Sequence, residues 1–184
     1  MAKHLPHDDD LLLQFRNPQT RERAFRQLVE KYQKRLYDHI RRLVIVHEDA
    51  DDVLQNTFMK VWNHLANFKG GSQLYTWLYR IATNESFNHL KKQKTQVSAS
   101  FDHEDYDMAN KFKADPYIDG NDIQMKLQKA IHQLPERQRA VFIMRYYDEM
   151  QYDEIARVME RSEGALKASY HHAAKKIEQF VKNN

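Results

Sequence analysis

Apolar residues recur at three- and four-residue spacings through most of the chain, a pattern typical of amphipathic helices packed on a shared core. The longest such segment begins near Thr20 and ends near Val46. Its predicted buried face consists of Ala24, Phe25, Leu28, Val29, Tyr32, Leu36, Ile40, Leu43 and Val44. A short helix from Leu11 to Phe15 is predicted before it, because Asp8–Asp10 supply an N-cap and an acidic first turn.

A third helix is predicted to begin at His47, followed by two acidic residues that suit the helix dipole. Its predicted buried side consists of Val53, Leu54, Phe58, Val61, Trp62 and Leu65. Its opposite face combines acids and amides with a methionine and a lysine: Asp51, Asp52, Gln55, Asn56, Met59 and Lys60. Such a face suits the basic helix of a partner protein, and it equally suits plain exposure to solvent.

A fourth helix, from Leu74 to Lys94, has a polar face of unusual composition. Its apolar side is predicted to contain Leu74, Trp77, Leu78, Ile81, Ala82 and Leu90. The opposite side carries flat aromatics, amides and a basic end: Tyr75, Tyr79, Arg80, Asn84, Asn88, Lys91, Lys92 and Lys94. These side chains can stack on unpaired bases, bond base edges and neutralise phosphates. The alternative is a core helix with amphipathic tyrosines at its rim.

The loop before this helix, from Asn67 to Ser72, contains Gly70-Gly71, the one adjacent glycine pair in the chain. By composition it is a turn. It also sets Phe68, Lys69 and flexible backbone beside the start of the fourth helix. The loop is therefore either a plain helix–helix connection or a segment that wraps an extruded base.

The second half of the chain predicts four more helices. The first starts near Ile123 with Ile123, Leu127 and Ile131 inward, and the second has Pro135 at its first position and Ala140, Val141, Ile143 and Met144 inward. A short helix from Tyr152 to Met159 and a turn then precede a long helix from about Glu163 to Val181, with Ser162 as its N-cap.

A short helix, a tight turn and a longer helix form a helix-turn-helix, whose second helix enters the major groove of DNA. The outward side chains of the long helix would be Lys167, Ala168, His171, His172 and Lys175. The alternative is a helical module that binds protein. His171 and His172 diverge by about 100 degrees on a helix, so they cannot share one metal ion.

Composition supports an all-α fold of two small helical domains. Gly and Pro are scarce, with four of each, and cysteine is absent. The absence of cysteine excludes a disulfide scaffold and a thiolate zinc site. No apolar run reaches membrane-spanning length, and the acidic N-terminal residues do not suit a signal peptide, so a cytoplasmic protein is expected.

Charge divides the chain into three parts. Residues 1–94 hold 16 basic and 11 acidic side chains, and residues 123–184 hold 11 and 8. Residues 95–122 hold only 2 basic and 7 acidic side chains and show no apolar period, so an extended acidic linker between two domains is predicted. The linker fits no calcium-loop pattern, and no motif of an enzyme appears; no cofactor, metal or small-molecule substrate is expected.

Two motifs resemble a known family. The run from Asp49 to Phe58 and the run from Tyr75 to Asn84 resemble region 2 of bacterial RNA polymerase sigma factors of the extracytoplasmic function (ECF) group. Leu134–Arg139, Glu154–Ala156 and Ser162–Lys167 resemble their region 4. The two motifs stand in the family's order, separated by the family's short linker.

The resemblance implies a sigma factor that recruits core RNA polymerase to −35 and −10 promoter elements and starts transcription. Contact with the β′ clamp helices of core polymerase is implied for Asp52, Gln55, Asn56 and Trp62. Contact with −10 DNA is implied for Phe68, Lys69, Gly70, Ser72, Tyr75, Arg80, Asn84 and Asn88. Contact with −35 DNA is implied for Arg145, Lys167, Ala168, His171, His172 and Lys175. The β subunit and a membrane-anchored anti-sigma factor are further implied partners.

The chain departs from the family pattern in its second domain. Glu160 stands where the family usually has a turn glycine, and Arg161 follows where an apolar residue is usual. His171 and His172 replace the more common aromatic and arginine. Two alternatives remain at this point: a helix-turn-helix regulator that does not engage polymerase, and a helical adaptor without a DNA role.

Overall fold

A computed structural model describes residues 6–99 and 122–183, and within these ranges every regular element is a helix. The α-helices are α1 (Asp8–Arg16), α2 (Arg21–Val44), α3 (His47–His64), α4 (Leu74–Ala99), α5 (Asp122–His132), α6 (Glu136–Tyr146), α7 (Tyr152–Met159) and α8 (Glu163–Asn183), with a 3₁₀ turn at Leu65–Asn67. We call α1–α4 the first bundle and α5–α8 the second bundle.

The first bundle is built around α2, which packs on α1, α3 and α4. Leu28, Leu36, Ile40 and Leu43 are buried along one side of α2, because their spacing places them on a single face. The bond network of Asp8 holds α1 against α2. The Asp8 carboxylate accepts hydrogen bonds from the Tyr32 hydroxyl at 2.7 Å and from the Lys31 ammonium at 2.7 Å.

The joint between α2 and α3 is strained. Ile45 ends α2 with φ of 71°, a conformation that is a genuine outlier for a β-branched residue. Its side chain is nevertheless buried, with 9% exposed. Packing of this side chain therefore outweighs the torsional cost of the turn.

The second bundle packs α5, α6 and α7 against α8. Ile131, Ile143, Met144, Ile155 and Ala173 lie at its centre. Two local bonds define the start of α7 and α8. The backbone N–H of Gln151 donates to the Glu154 carboxylate at 2.8 Å, and that of Ala165 donates to the Ser162 hydroxyl at 3.4 Å, as expected of an N-cap.

The two bundles contact each other, with α4 against α7 and α2 against α6. His39 of α2 lies in this contact and is fully buried. Its ring nitrogens are 2.7 Å from the carboxylate of Asp148 in the α6–α7 turn and 2.9 Å from the hydroxyl of Thr83 in α4. The bond to Asp148 joins one bundle to the other.

The all-α fold is confirmed, and the bounds of α7 are those predicted. Three details of the helix ends were wrong. His7, not an aspartate, is the N-cap of α1, Pro135 is the N-cap of α6 instead of its first residue, and α4 continues through Ala99. The last difference places five residues of the predicted linker in a helix. The remainder of that linker, up to residue 121, lies outside the described residues.

Three burial predictions were also wrong. Trp62, predicted on the buried side of α3, is 37% exposed. Tyr79, expected on the polar face of α4, is only 2% exposed, because it packs against His39 with ring centroids 4.8 Å apart. Ile123, expected to face inward, is 66% exposed because it stands in the first turn of α5. In the parts of the chain that the structure describes, no helix has the length and apolarity needed to cross a lipid bilayer.

Folding should become less favourable in mild acid because of His132. Its imidazole is buried and accepts a hydrogen bond at Nδ1 from Arg139 at 2.8 Å. Burial and the positive charges of Arg139 and Arg41 hold the pKa of His132 well below its ordinary value of 6.5. Below about pH 6.5 the unfolded chain therefore binds a proton at His132 that the folded chain does not bind. The free energy of unfolding decreases as the pH falls.

We expect His132→Asn to flatten the pH dependence of the unfolding free energy below pH 6.5. The contribution removed is at most about 1.4 kcal/mol per pH unit. Urea titrations at pH 5.5, 6.5 and 7.5 would measure it, with the exposed His64→Asn as the control. Equal slopes for wild type and His132→Asn would contradict the assignment.

Candidate nucleic-acid and polymerase interface

The acid-and-amide face of α3 is open to solvent. Asp51, Asp52, Gln55 and Asn56 are all exposed, and Met59 is 58% exposed beside them. Asp51 faces the His47 ring at 3.4 Å, whereas no ion pair of Asp52 occurs among the described residues. The face thus offers unpaired carboxylate and amide groups next to a polarisable apolar side chain.

Trp62 forms the apolar edge of this face. Its ring meets Phe15 and Phe25 edge to face, at centroid distances of 5.3 and 5.0 Å. These contacts hold the indole in place while 37% of the residue stays exposed. A rigid, half-exposed indole is a low-entropy anchor for a partner surface.

A cavity of about 510 Å³ lies between the loop 67–72 and the start of α4. Its lining includes Asn67, Phe68, Lys69, Gly71, Ser72, Thr76, Trp77, Arg80 and Arg157. The lining brings together cationic, amide and aromatic side chains that can contact a base and its phosphate.

Phe68, for which contact with −10 DNA is implied, has a largely buried side chain. It is only 8% exposed, its ring lies 5.3 Å from that of Trp77, and Arg16 donates a hydrogen bond to its carbonyl at 3.3 Å. Lys69 and Gly70 are exposed next to it. The aromatic ring therefore forms a wall of the cavity, and the exposed part of the loop begins at Lys69.

The predicted DNA face of α4 is divided by the structure. Asn84 and Asn88 are exposed, and the Asn88 amide donates to Glu85 at 3.2 Å. Tyr75 is half-buried and meets the buried Tyr79 edge to face. Arg80 points toward the cavity and forms an ion pair with Glu160 of the second bundle at 3.3 Å.

The outward face of α8 agrees with its predicted composition. Lys167, Ala168, His171, His172 and Lys175 are all exposed. Lys167 lies 3.4 Å from Glu163 and above the Tyr152 ring, which pre-orients its ammonium. His171 and His172 have ring centroids 6.2 Å apart, and no cluster among the described residues has the arrangement of a metal site.

Arg145 is engaged within the second bundle. Its guanidinium donates to the carbonyl of Met150 at 3.0 Å and lies 5.3 Å from the centre of the Tyr152 ring. Arg145 therefore supports the turn between α6 and α7, and only part of its guanidinium group is available to a ligand. Of the predicted −35 set, Arg145 is the one half-buried residue.

Sequence reasoning missed the residues that join the bundles. Arg157 of α7 lines the cavity of the first bundle, and the contact of His39 with Asp148 spans 109 positions of the chain. Neither lies in a motif. The sequence contained one signal, Glu160, because glutamate is unusual in such a turn. In the structure Glu160 has φ of 54° and ψ of 48°.

Gly70 and Gly71 provide a matched test of the loop backbone. Gly70 has φ of 76°, a left-handed conformation, and a Cβ built at either glycine meets no atom within 4 Å. We expect Gly70→Ala to reduce the unfolding free energy by about 1 kcal/mol through torsion alone. Gly71→Ala should change it much less. Urea denaturation measures both, and equal losses would show that the two loop positions are equally strained.

The arrangement agrees with comparisons against known proteins. The family Sigma-70 region 2 matches residues 28–96, and Sigma-70, region 4 matches residues 124–177. The RNA polymerase sigma-H factor of Pseudomonas aeruginosa is 32% identical over 168 residues, which cover 87% of each protein. The ECF RNA polymerase sigma-E factor of Escherichia coli K12 is 29% identical over the same length, also 87% of each.

Two solved structures share the fold. CnrH in complex with the cytosolic domain of CnrY superposes with a TM-score of 0.72 at 22% identity, over 96% of this chain and 98% of that one. The sigma factor RpoE of Bartonella quintana, in complex with the anti-sigma factor NepR, gives 0.67 at 23% identity, over 86% and 96%. Both regions of the family match, and the 32% identical relative is matched over 87% of its length. The chain therefore belongs to the sigma-70 family, as a sigma factor of the ECF group.

Proposed function

We propose that this protein recruits core RNA polymerase to promoters with −35 and −10 elements and initiates transcription there. The observation that carries the proposal is the match to region 2 and region 4 of the sigma-70 family, in that order, on one chain. A regulator that only binds DNA would need the second match and not the first. The proposed role is that of a binding protein in the cytoplasm, where polymerase and promoter are, and it requires no cofactor.

The division of labour follows the charge and exposure of the surfaces. We assign polymerase docking to residues 1–94 through Asp52, Gln55, Asn56 and Trp62, because α3 exposes this carboxylate and these amides and also carries an indole held by Phe25. We assign −35 recognition to residues 123–184 through the exposed side of α8. The acidic segment 95–122 is proposed to join them along a path on polymerase that is built for phosphates.

The energetics favour joint action of polymerase and sigma factor. Opening a promoter costs about 1.4 kcal/mol for each base-pair step. Stacking on aromatic side chains returns about 1–3 kcal/mol for each captured base. A few captured bases can tip this balance only when polymerase supplies the remaining stabilisation.

An anti-sigma factor is proposed as a further partner. Two proteins of the same fold have been solved in complexes, CnrH with the cytosolic domain of CnrY and RpoE with the anti-sigma factor NepR. The exposed face of α3 is a candidate surface for competition, since an anti-sigma factor bound there would exclude polymerase. A membrane anchor would belong to that partner.

Transcription from a promoter library tests the function directly. Purified bacterial core polymerase is supplied with or without this protein, and the 5′ ends of the transcripts are sequenced. Start sites that depend on the protein and share two motifs at a fixed spacing are the expected result. Sequence-specific DNA binding by the protein alone, without transcription by core enzymes from several bacteria, would favour the regulator.

Asp52→Lys is expected to abolish binding to core polymerase while the fold is retained. The substitution reverses one exposed charge on the proposed docking face and disrupts no ion pair of the described residues. Glu22→Lys, at an exposed position of α2, is the matched control. Co-elution with core polymerase and circular dichroism provide the readouts, and undiminished co-elution of Asp52→Lys would refute the assigned docking face.

Lys167→Ala combined with His171→Ala is expected to lower transcription from −35-dependent promoters by about tenfold or more, which corresponds to the loss of one good base contact. Lys182→Ala, near the end of the same helix, should have little effect. A scrambled −35 element separates two roles. If the double variant lowers transcription from the scrambled promoter by the same factor as from the intact promoter, the two residues contact only phosphates.

A further inference from the structure

We propose that Glu85 is a positioning residue of the −10 interface, which holds the side-chain amide of Asn88 in one orientation so that this amide favours adenine over guanine. Lys60 of α3 completes the arrangement, because it neutralises the Glu85 carboxylate. The inference rests on the proposed function for the assignment of Asn88 to −10 DNA. It adds a positioning residue, a charge-balancing partner and a base preference to that assignment.

An acidic side chain on a surface that binds DNA is unfavourable unless its charge is neutralised, because phosphates repel it. Glu85 stands in α4 between Asn84 and Asn88, both of which are exposed and are proposed to contact −10 DNA. Only 13% of the Glu85 side chain is exposed. Its carboxylate is therefore largely withdrawn from solvent, although its neighbours in the helix are open to a ligand.

One oxygen of Glu85 accepts two hydrogen bonds. The ammonium of Lys60 donates to Oε1 at 2.6 Å, and the amide nitrogen of Asn88 donates to the same atom at 3.2 Å. A carboxylate oxygen has two lone pairs, so it can accept from both donors. Asn88 follows Glu85 by three positions, a spacing at which the side chains of a helix are neighbours. The three side chains thus form one connected network across α3 and α4.

The bond to Glu85 decides which way the Asn88 amide is turned. An ionised carboxylate can only accept hydrogen bonds, so the amide must direct its nitrogen and not its oxygen toward Glu85. The oxygen and one N–H of the amide then remain for a ligand. Because this orientation is set before DNA binds, less side-chain entropy is lost on binding.

An amide held in this way presents one acceptor and one donor to a base. Adenine offers the matching pair on its major-groove edge, an amino donor beside the N7 acceptor. Guanine offers two acceptors, N7 and O6, and would need two donors. Glu85 already occupies one of the two N–H groups of Asn88. We therefore expect the wild type to prefer adenine over guanine at the contacted base by about fivefold or more.

Lys60 limits the repulsion between Glu85 and DNA. Half of the Lys60 side chain is exposed, so the ion pair that it forms with Glu85 stabilises the fold only weakly. Its larger effect is expected on DNA binding, since an uncompensated carboxylate would repel the phosphates of every sequence alike. Two effects of Glu85 can therefore be separated. Its hydrogen bond sets a base preference, and its charge alters binding to all sequences.

Nuclear magnetic resonance tests the bond between Glu85 and Asn88 in the free protein, without reference to transcription. The side-chain amide signals of Asn88 in a nitrogen–proton correlation spectrum are identified by their absence from Asn88→Asp. Glu85→Gln should shift these signals, because the carboxylate acceptor is lost, and should leave the amide signals of Asn17 unchanged. Glu178→Gln, which removes a carboxylate paired with Lys182 inside α8, is the control. Unchanged Asn88 signals in Glu85→Gln would overturn the proposal.

Transcription by core polymerase from promoters randomised in the −10 element measures the base preference. The position at which Asn88→Ala alters the preference identifies the contacted base, and the ratio of adenine to guanine there cancels differences in polymerase binding. Glu85→Gln should lower this ratio close to that of Asn88→Ala, and the double variant should equal Asn88→Ala alone. The proposal is overturned if no position responds to Asn88→Ala, if wild type prefers guanine there, or if Glu85→Gln keeps the wild-type ratio.

Lys60→Met separates the charge of Glu85 from its hydrogen bond. It should lower transcription from adenine- and guanine-containing promoters by the same factor, and added salt should narrow the difference from wild type because salt screens the repulsion. A loss of the adenine preference as large as in Glu85→Gln would overturn the role assigned to Glu85. If wild type starts no transcription from any promoter, the proposed function fails, and the amide signals of Asn88 still decide whether Glu85 orients it.

Discussion

Burial of one face of α2 is the constraint on which the remaining structure depends. Leu28, Leu36, Ile40 and Leu43 have almost no contact with solvent, and three neighbouring helices as well as α6 pack on this one element. Each fully buried side chain of this type contributes about 1.5–3 kcal/mol. With α2 fixed, α3 buries one face and its acid-and-amide face points outward, whereas α4 is covered on a further side by α7.

The functional surfaces use side chains that are half inside the core. Trp62 is anchored by Phe15 and Phe25 with 37% of the residue exposed, and the Phe68 ring packs against Trp77. Packing immobilises these groups before a ligand arrives, so binding has less side-chain entropy to overcome. The core that stabilises the fold therefore also holds the side chains of these surfaces in place before a ligand binds.

The periodicity of apolar residues was sufficient to predict the helices, but it was not sufficient to predict the contacts between the two bundles. A three- and four-residue spacing reports which side of a helix is apolar, so the exposed faces of α3 and α8 were predicted. It does not report that a polar residue such as His39 is buried, since a distant Asp148 must first arrive to satisfy it. Tyr79 was misplaced for the same reason, because the polar side of α4 near it is covered by other helices. Glu160 was recognised as unusual from sequence, but its partner Arg80 is 80 positions away.

The strained turn at Ile45 has a consequence for how the α3 surface is oriented. In many proteins a glycine ends a helix, because glycine adopts a positive φ without steric cost. Here a β-branched side chain accepts an unfavourable torsion to remain in the core, so the angle between α2 and α3 is set by packing. Substitutions deep in the interior beside Ile45 would then rotate the carboxylates and amides of α3 by small amounts. Variation at buried positions could therefore tune the fit of a sigma factor to its polymerase without any change in the surface residues themselves.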